Sequence, residues 1–78
     1  MSDIFKVLEL TSKSHKQPVY LLNDVEGVKI KMISPSARDE IKYSNGKIGT
    51  ISIGDNLYKR TLDMTKEITK EQYESNNF

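Results

Sequence analysis

Residues 39–53 read Asp39-Glu40-Ile41-Lys42-Tyr43-Ser44-Asn45-Gly46-Lys47-Ile48-Gly49-Thr50-Ile51-Ser52-Ile53, and the way this stretch folds separates a mainly β chain from a mixed one. Asn45-Gly46 is a favoured pair for a two-residue hairpin turn, because both positions tolerate positive φ and the turn then matches the twist of its strands. Such a turn pairs Ser44 with Lys47 and Tyr43 with Ile48. Ile41 then meets Thr50, while Ile51 and Ile53 point to the other face, so the apolar pattern breaks by one residue. A bulge at Gly49-Thr50 restores it by pairing Ile41 with Ile51, and glycine inside a strand often marks such a bulge. The competing structure for residues 35–44 is a helix. Ser34 would cap it, Pro35 would take its first position, Asp39 and Glu40 would lie near its start, and Gly46 would follow its end. The hairpin is preferred here; the helix would make the chain α+β.

Outward from this stretch the pattern is that of short strands. Val28, Ile30 and Met32 alternate with Lys29 and Lys31, the period of a strand with one buried and one wet face, and predict a strand over 27–33. Asn23, Asp24, Glu26 and Gly27 supply the turn before it. Pro18 can open a strand over 18–22 through Val19, Tyr20, Leu21 and Leu22, since a missing N–H is tolerated at a strand's first residue. Residues 4–11 are rich in apolar and branched types and end in the polar cluster 12–17, which predicts a first strand and a loop. Gly54, Asp55 and Asn56 predict a second tight turn, followed by a strand over 57–64 carrying Tyr58, Leu62 and Met64 at even spacing. Thr69 and Gln72 form a capping-box pair, with Ile68 placed to staple against Tyr73, so a short helix is expected near the end. Residues 76–78 are expected to fray. The expected fold is mainly β: a small antiparallel sheet or open barrel of five to six strands with a short C-terminal helix, in a single domain over 1–78.

Seventy-eight residues leave room for one core, and chains this small often need a further staple. Without cysteine, and with one histidine, disulfides are excluded and a structural zinc site lacks its usual ligands. Self-association therefore stays open. The first ten residues do not form the apolar run of a signal peptide, and no stretch approaches the ~20 apolar residues of a membrane span, so a cytoplasmic protein is expected. Twelve basic against eleven acidic side chains argue against binding polyanions by bulk charge. The mild basic excess lies in the strand region, where residues 1–62 hold ten basic against seven acidic side chains.

No catalytic constellation is legible. His15 sits among Ser12, Lys13, Ser14 and Lys16 in a polar stretch, with no spaced nucleophile or orienting carboxylate to make it a general base. Asp24 with Glu26, Asp39-Glu40 and Asp55 match neither a calcium loop nor a carboxylate pair with supporting residues. Gly27, Gly46, Gly49 and Gly54 lack the spacing of a phosphate loop or a dinucleotide fingerprint. The chain is thus expected to be no enzyme and to use no cofactor or metal. It is expected instead to be an accessory or inhibitor protein that presents a surface to a protein partner, with Phe5, Tyr20 and Phe78 as the aromatics available to that interface. The alternative is a small-barrel nucleic-acid-binding module using Lys29, Lys31, Lys42, Lys59 and Arg60 on phosphates. The two are separated by clustering: one contiguous basic face favours nucleic acid, and an apolar patch rimmed by charge favours protein.

Overall fold

A computed structural model of the chain describes residues 4–33 and 38–78. Helix α1 spans Ile4–Ser14, strand β1 Val19–Asn23, β2 Val28–Met32, β3 Asp39–Tyr43 and β4 Ile48–Ile51. Helix α2 spans Asn56–Met64, β5 Glu67–Ile68 and α3 Lys70–Glu74. The five strands form one antiparallel sheet in the order β4-β3-β2-β1-β5, which gives the small antiparallel sheet with a short C-terminal helix that the sequence predicts.

Alternation sorts the strands' side chains between two faces. Val19 and Leu21 pair with Met32 and Ile30, and Ile30 in turn pairs with Ile41. With Val28 and Ile51 these residues line one face, where Leu10 of α1 and Tyr58 of α2 complete the core and Ile53, Leu57 and Leu62 pack at its margin. Asn23 is the polar member of that layer. Its amide donates to Thr61 Oγ1 of α2 (3.1 Å) and to Glu26 (3.0 Å), so the β1–β2 turn is tied to the helix above it. Asp39 is a second buried polar residue. It accepts from the Tyr58 hydroxyl (2.7 Å) and from the Ile33 amide (3.3 Å), which keeps its carboxylate partnered away from water.

Two predicted strands are helices. Residues 4–11 belong to α1, because Val7, Leu10 and Ser14 recur at three- and four-residue spacing and turn a single inner face to the core, whereas a strand would have needed strict alternation. The helix ends where Pro18 follows, with the Lys16 and Gln17 amides folding back onto the Lys13 carbonyl. Residues 57–64 belong to α2. Asp55, expected in a hairpin turn, is instead the N-cap, its carboxylate accepting from Leu57 N at 2.8 Å. Leu57, Tyr58, Thr61 and Leu62 then share the inner face of the helix.

The decisive stretch forms the hairpin, and residues 39–43 are strand rather than helix. The proposed Ser34 cap and Pro35 lie outside the described residues. The register differs from the expected one. Tyr43 N donates to Lys47 O (2.8 Å), Gly46 N donates to Tyr43 O (2.9 Å), and Gly46 has φ +89. The connection is therefore a three-residue loop closed by a left-handed glycine. The extra residue sits in the turn, so no bulge is needed at Gly49-Thr50: Ile41 pairs with Gly49 and Asp39 with Ile51. The residue-41-to-51 pairing does not form, yet Ile41 and Ile51 still share the core face.

Candidate functional site

The second face of the sheet is only partly covered. Helix α3 is a single short stretch over β1 and β2, capped by Thr69, whose hydroxyl accepts from Gln72 N (3.1 Å) while the Gln72 side chain accepts from Thr69 N (2.8 Å). That is the capping box expected from the sequence. Tyr73 anchors the helix, its ring packed at a tilt against Tyr20 with 5.0 Å between centroids and its hydroxyl donating to Glu40 at 2.7 Å. Burial, reinforced by the Glu40 carboxylate, pushes the Tyr73 phenol upward in pKa.

Two lysines hold the other end of α3. Lys29 and Lys42 are cross-strand neighbours on β2 and β3. Lys29 Nζ donates to the carbonyls of Gln72 and Ser75, and Lys42 Nζ to those of Tyr73 (3.3 Å), Glu74 (2.8 Å) and Ser75 (3.3 Å). Cations at a helix C-terminus satisfy its last carbonyls and oppose the negative end of its dipole. Burial, and then the Lys42 charge beside it, lower the pKa of Lys29. The Lys29 ammonium also lies 4.2 Å from the centre of the Phe78 ring, so the end of the chain, expected to fray, has a contact with the sheet.

What α3 leaves open is a trough made of two adjoining clefts of 530 and 310 Å³, both lined by Lys31, Glu40 and Ile48. The larger runs out to the β4 edge past Ile33, Arg38 and Thr50, and the smaller is bounded by Tyr20, Lys70 and Tyr73. Ile33 and Ile48 are 48% and 62% exposed in the larger cleft, an apolar pair set among Lys31, Arg38 and Glu40. Lys31 and Lys70 make no ion pair among the described residues.

The structure divides the five predicted basic residues. Lys29, Lys31 and Lys42 share the second face, but Lys29 and Lys42 are buried and committed to α3. Lys59 and Arg60 ride on α2, which covers the opposite face, and Arg60 donates from Nε and Nη2 to the two carboxylate oxygens of Glu26, each at 2.8 Å. The aromatics are divided as well. Phe5 is 79% exposed on α1, whereas Tyr20 and Phe78 lie against α3 and the lysine beneath it. The sequence reading missed Ile33, Ile48 and Lys70. Ile48 had a signal, since in the strand pattern it falls on the face opposite Ile51.

Among the described residues no three His, Asp or Glu side chains gather where they could hold a metal ion, and no helix is long and apolar enough to cross a membrane. No family model, curated protein or solved structure matches the chain.

Proposed function

We propose that the chain is a non-enzymatic protein-binding domain of the cytoplasm, an accessory or inhibitor protein that takes its partner in the trough on the second face of the sheet. The observation that carries this reading is the exposed Ile33–Ile48 pair rimmed by Lys31, Arg38, Glu40 and Lys70. An apolar patch with a charged border is the composition of a protein-docking surface, where the buried centre supplies affinity and the rim supplies orientation. A nucleic-acid surface would instead need its cations gathered and free, and two of the five are spent on α3 while two more lie behind the sheet. Lys31 and Lys70, lacking carboxylate partners of their own, suit a partner segment that brings one apolar and one or two acidic side chains.

Capture from lysate of the natural host, run with and without nuclease treatment, tests this, using the wild-type chain and the variants Lys31→Glu and Ile33→Ser as parallel baits. A protein band retained by the wild-type chain and lost with both variants is the expected result. Capture that ignores both substitutions, or that disappears with nuclease alone, would overturn the assignment of this surface.

A further inference from the structure

We propose that β4 pairs with β4 of a second copy of this chain, about a two-fold axis passing through Gly49, to join two five-stranded sheets into one. Strand β4 ends the sheet order, so among the described residues one of its edges has no neighbouring strand. Which backbone groups face that edge follows from the ladder. Tyr43 N donates to Lys47 O, and antiparallel bonds recur at every second pair, so Lys47, Gly49 and Ile51 bond inward to β3. Ile48 and Thr50 turn their N–H and C=O groups outward.

These outward groups are self-complementary. An antiparallel copy set with Ile48 opposite Thr50 and Gly49 opposite Gly49 closes four hydrogen bonds, two on each side of the axis, and leaves none of the four outward N–H groups of the two strands unpaired. The axis stands perpendicular to the sheet, so both troughs open on the same side of the joined sheet.

Three features of β4 fit a second copy. The strand Ile48-Gly49-Thr50-Ile51 carries no charge or proline, the usual guards of a free edge. Its exposed Ile48 would be set beside the partner's Thr50 and withdrawn from water in part. Among the described residues, moreover, neither backbone conformation nor a tight contact requires glycine at position 49. Its φ is not in the left-handed region, and an added Cβ would meet only ordinary contacts 3.8 Å from Ile41 and Tyr43. Glycine within a strand weakens it, and its presence marks places where another backbone comes close. In the proposed register Gly49 faces itself across the axis as a non-hydrogen-bonded pair, the closer of the two antiparallel spacings at about 4.5 Å between Cα atoms.

Edge pairing alone covers less than the roughly 800 Å² per partner that a standard interface buries, so the association is weak and concentration-dependent. Sedimentation equilibrium from about 10 μM to about 1 mM reads it directly. The mass of the wild-type chain is expected to climb from 8.9 kDa toward twice that value. Thr50→Pro removes an outward N–H and spares the β3 ladder, deleting two of the four bonds and raising the dissociation constant at least about tenfold. Because the chain contains no cysteine, Gly49→Cys gives a second, independent measurement. A Cα spacing near 4.5 Å lies within disulfide reach, so mild oxidation should cross-link this variant rapidly, whereas Lys16→Cys should stay monomeric. A wild-type mass fixed at 8.9 kDa up to about 1 mM, a dimer that Thr50→Pro leaves intact, or Gly49→Cys oxidising no faster than Lys16→Cys would each overturn the pairing. The trough substitutions Lys31→Glu and Ile33→Ser leave β4 untouched, so failure of the docking surface and failure of the dimer are read separately.

Discussion

At the scale of single residues, the least comfortable backbone in the chain is at Thr65. It caps the C-terminus of α2 with φ 52 and ψ 33, its amide reaching back to Leu62 O at 3.0 Å. That left-handed conformation costs a β-branched residue about 1 kcal/mol or more, and glycine adopts it freely. Among the described residues Thr65 is the sole non-glycine with positive φ. Thr65→Gly should therefore stabilise the chain by about 0.5 kcal/mol, net of the greater freedom glycine gains when unfolded. In a domain of this size that corresponds to a rise of roughly 2–4 °C in Tm, which differential scanning calorimetry would resolve. A fall in Tm would show that the Thr65 hydroxyl, which donates to Met64 O at 2.8 Å, matters more than the backbone strain.

At the scale of elements, α3 shows how a helix too short to stand alone can be held at both ends. Five residues are far below the length at which an isolated helix persists in water. Its start is fixed by Thr69 and Gln72 and its end by Lys29 and Lys42. Lys42→Met keeps the stem of the side chain and removes an ammonium bonded to three carbonyls. Hydrogen bonds to charged groups contribute about 1.5–3 kcal/mol each when lost from a buried site. The amides of Tyr73 and Ser75, which close the turns of α3, should then exchange with solvent about 10- to 100-fold faster, while those of β2 and β3 keep their protection. Equal acceleration in strands and helix would mean that Lys42 supports the whole fold rather than α3.

The same scale shows what a reader of the sequence can see. The capping box at Thr69 and the alternation of Val28, Ile30 and Met32 are local signals; the cap and the strand form as read, but the face expected to be wet is covered at Lys29, which lies buried beneath α3. Residues 4–11 and 57–64 were misread because each carries enough apolar residues to fit period two loosely, while the helical period becomes decisive only once Tyr58 and Leu10 are known to meet the same core. The Asn45-Gly46 turn was legible in place but not in type. A three-residue loop shifts the register by one, and that difference follows from the Tyr43–Lys47 bond rather than from the dipeptide.

For the whole molecule, ionisation ties the two faces of the sheet to one pH dependence. Tyr58 on the core face and Tyr73 on the other both have raised phenolic pKa values, first through burial and then through hydrogen bonds to Asp39 and Glu40. Unfolded tyrosines release their protons near pH 10, and the folded ones retain them. The folded chain thus binds more protons above that pH, and the stability these groups contribute, complete below about pH 10, is lost as pH rises further. Lys29 opposes this over a limited window. Its pKa is lowered below 10.5, so just beneath that value the unfolded chain holds the extra proton and stability rises with pH. Two tyrosines against one lysine give a net fall above about pH 10.5. Urea midpoints measured at about pH 9 and about pH 11 should drop, and Tyr73→Phe should shrink the drop; equal midpoints would contradict the assignment.

The candidate site was less legible than the fold. Alternation puts Lys29 and Lys31 on one face of β2, yet nothing near Lys29 or Lys42 in sequence reveals that residues 72–75 supply the carbonyls that bind them. That long-range contact also sets what the protein displays. While α3 is seated, the second face shows water one free lysine from this trio, Lys31. A chain cut after Thr69 would lose its cover and bare all three lysines beside Tyr20, so the last nine residues act as a mask over a charged and aromatic strip, and a protease that trims them would change the kind of surface on offer.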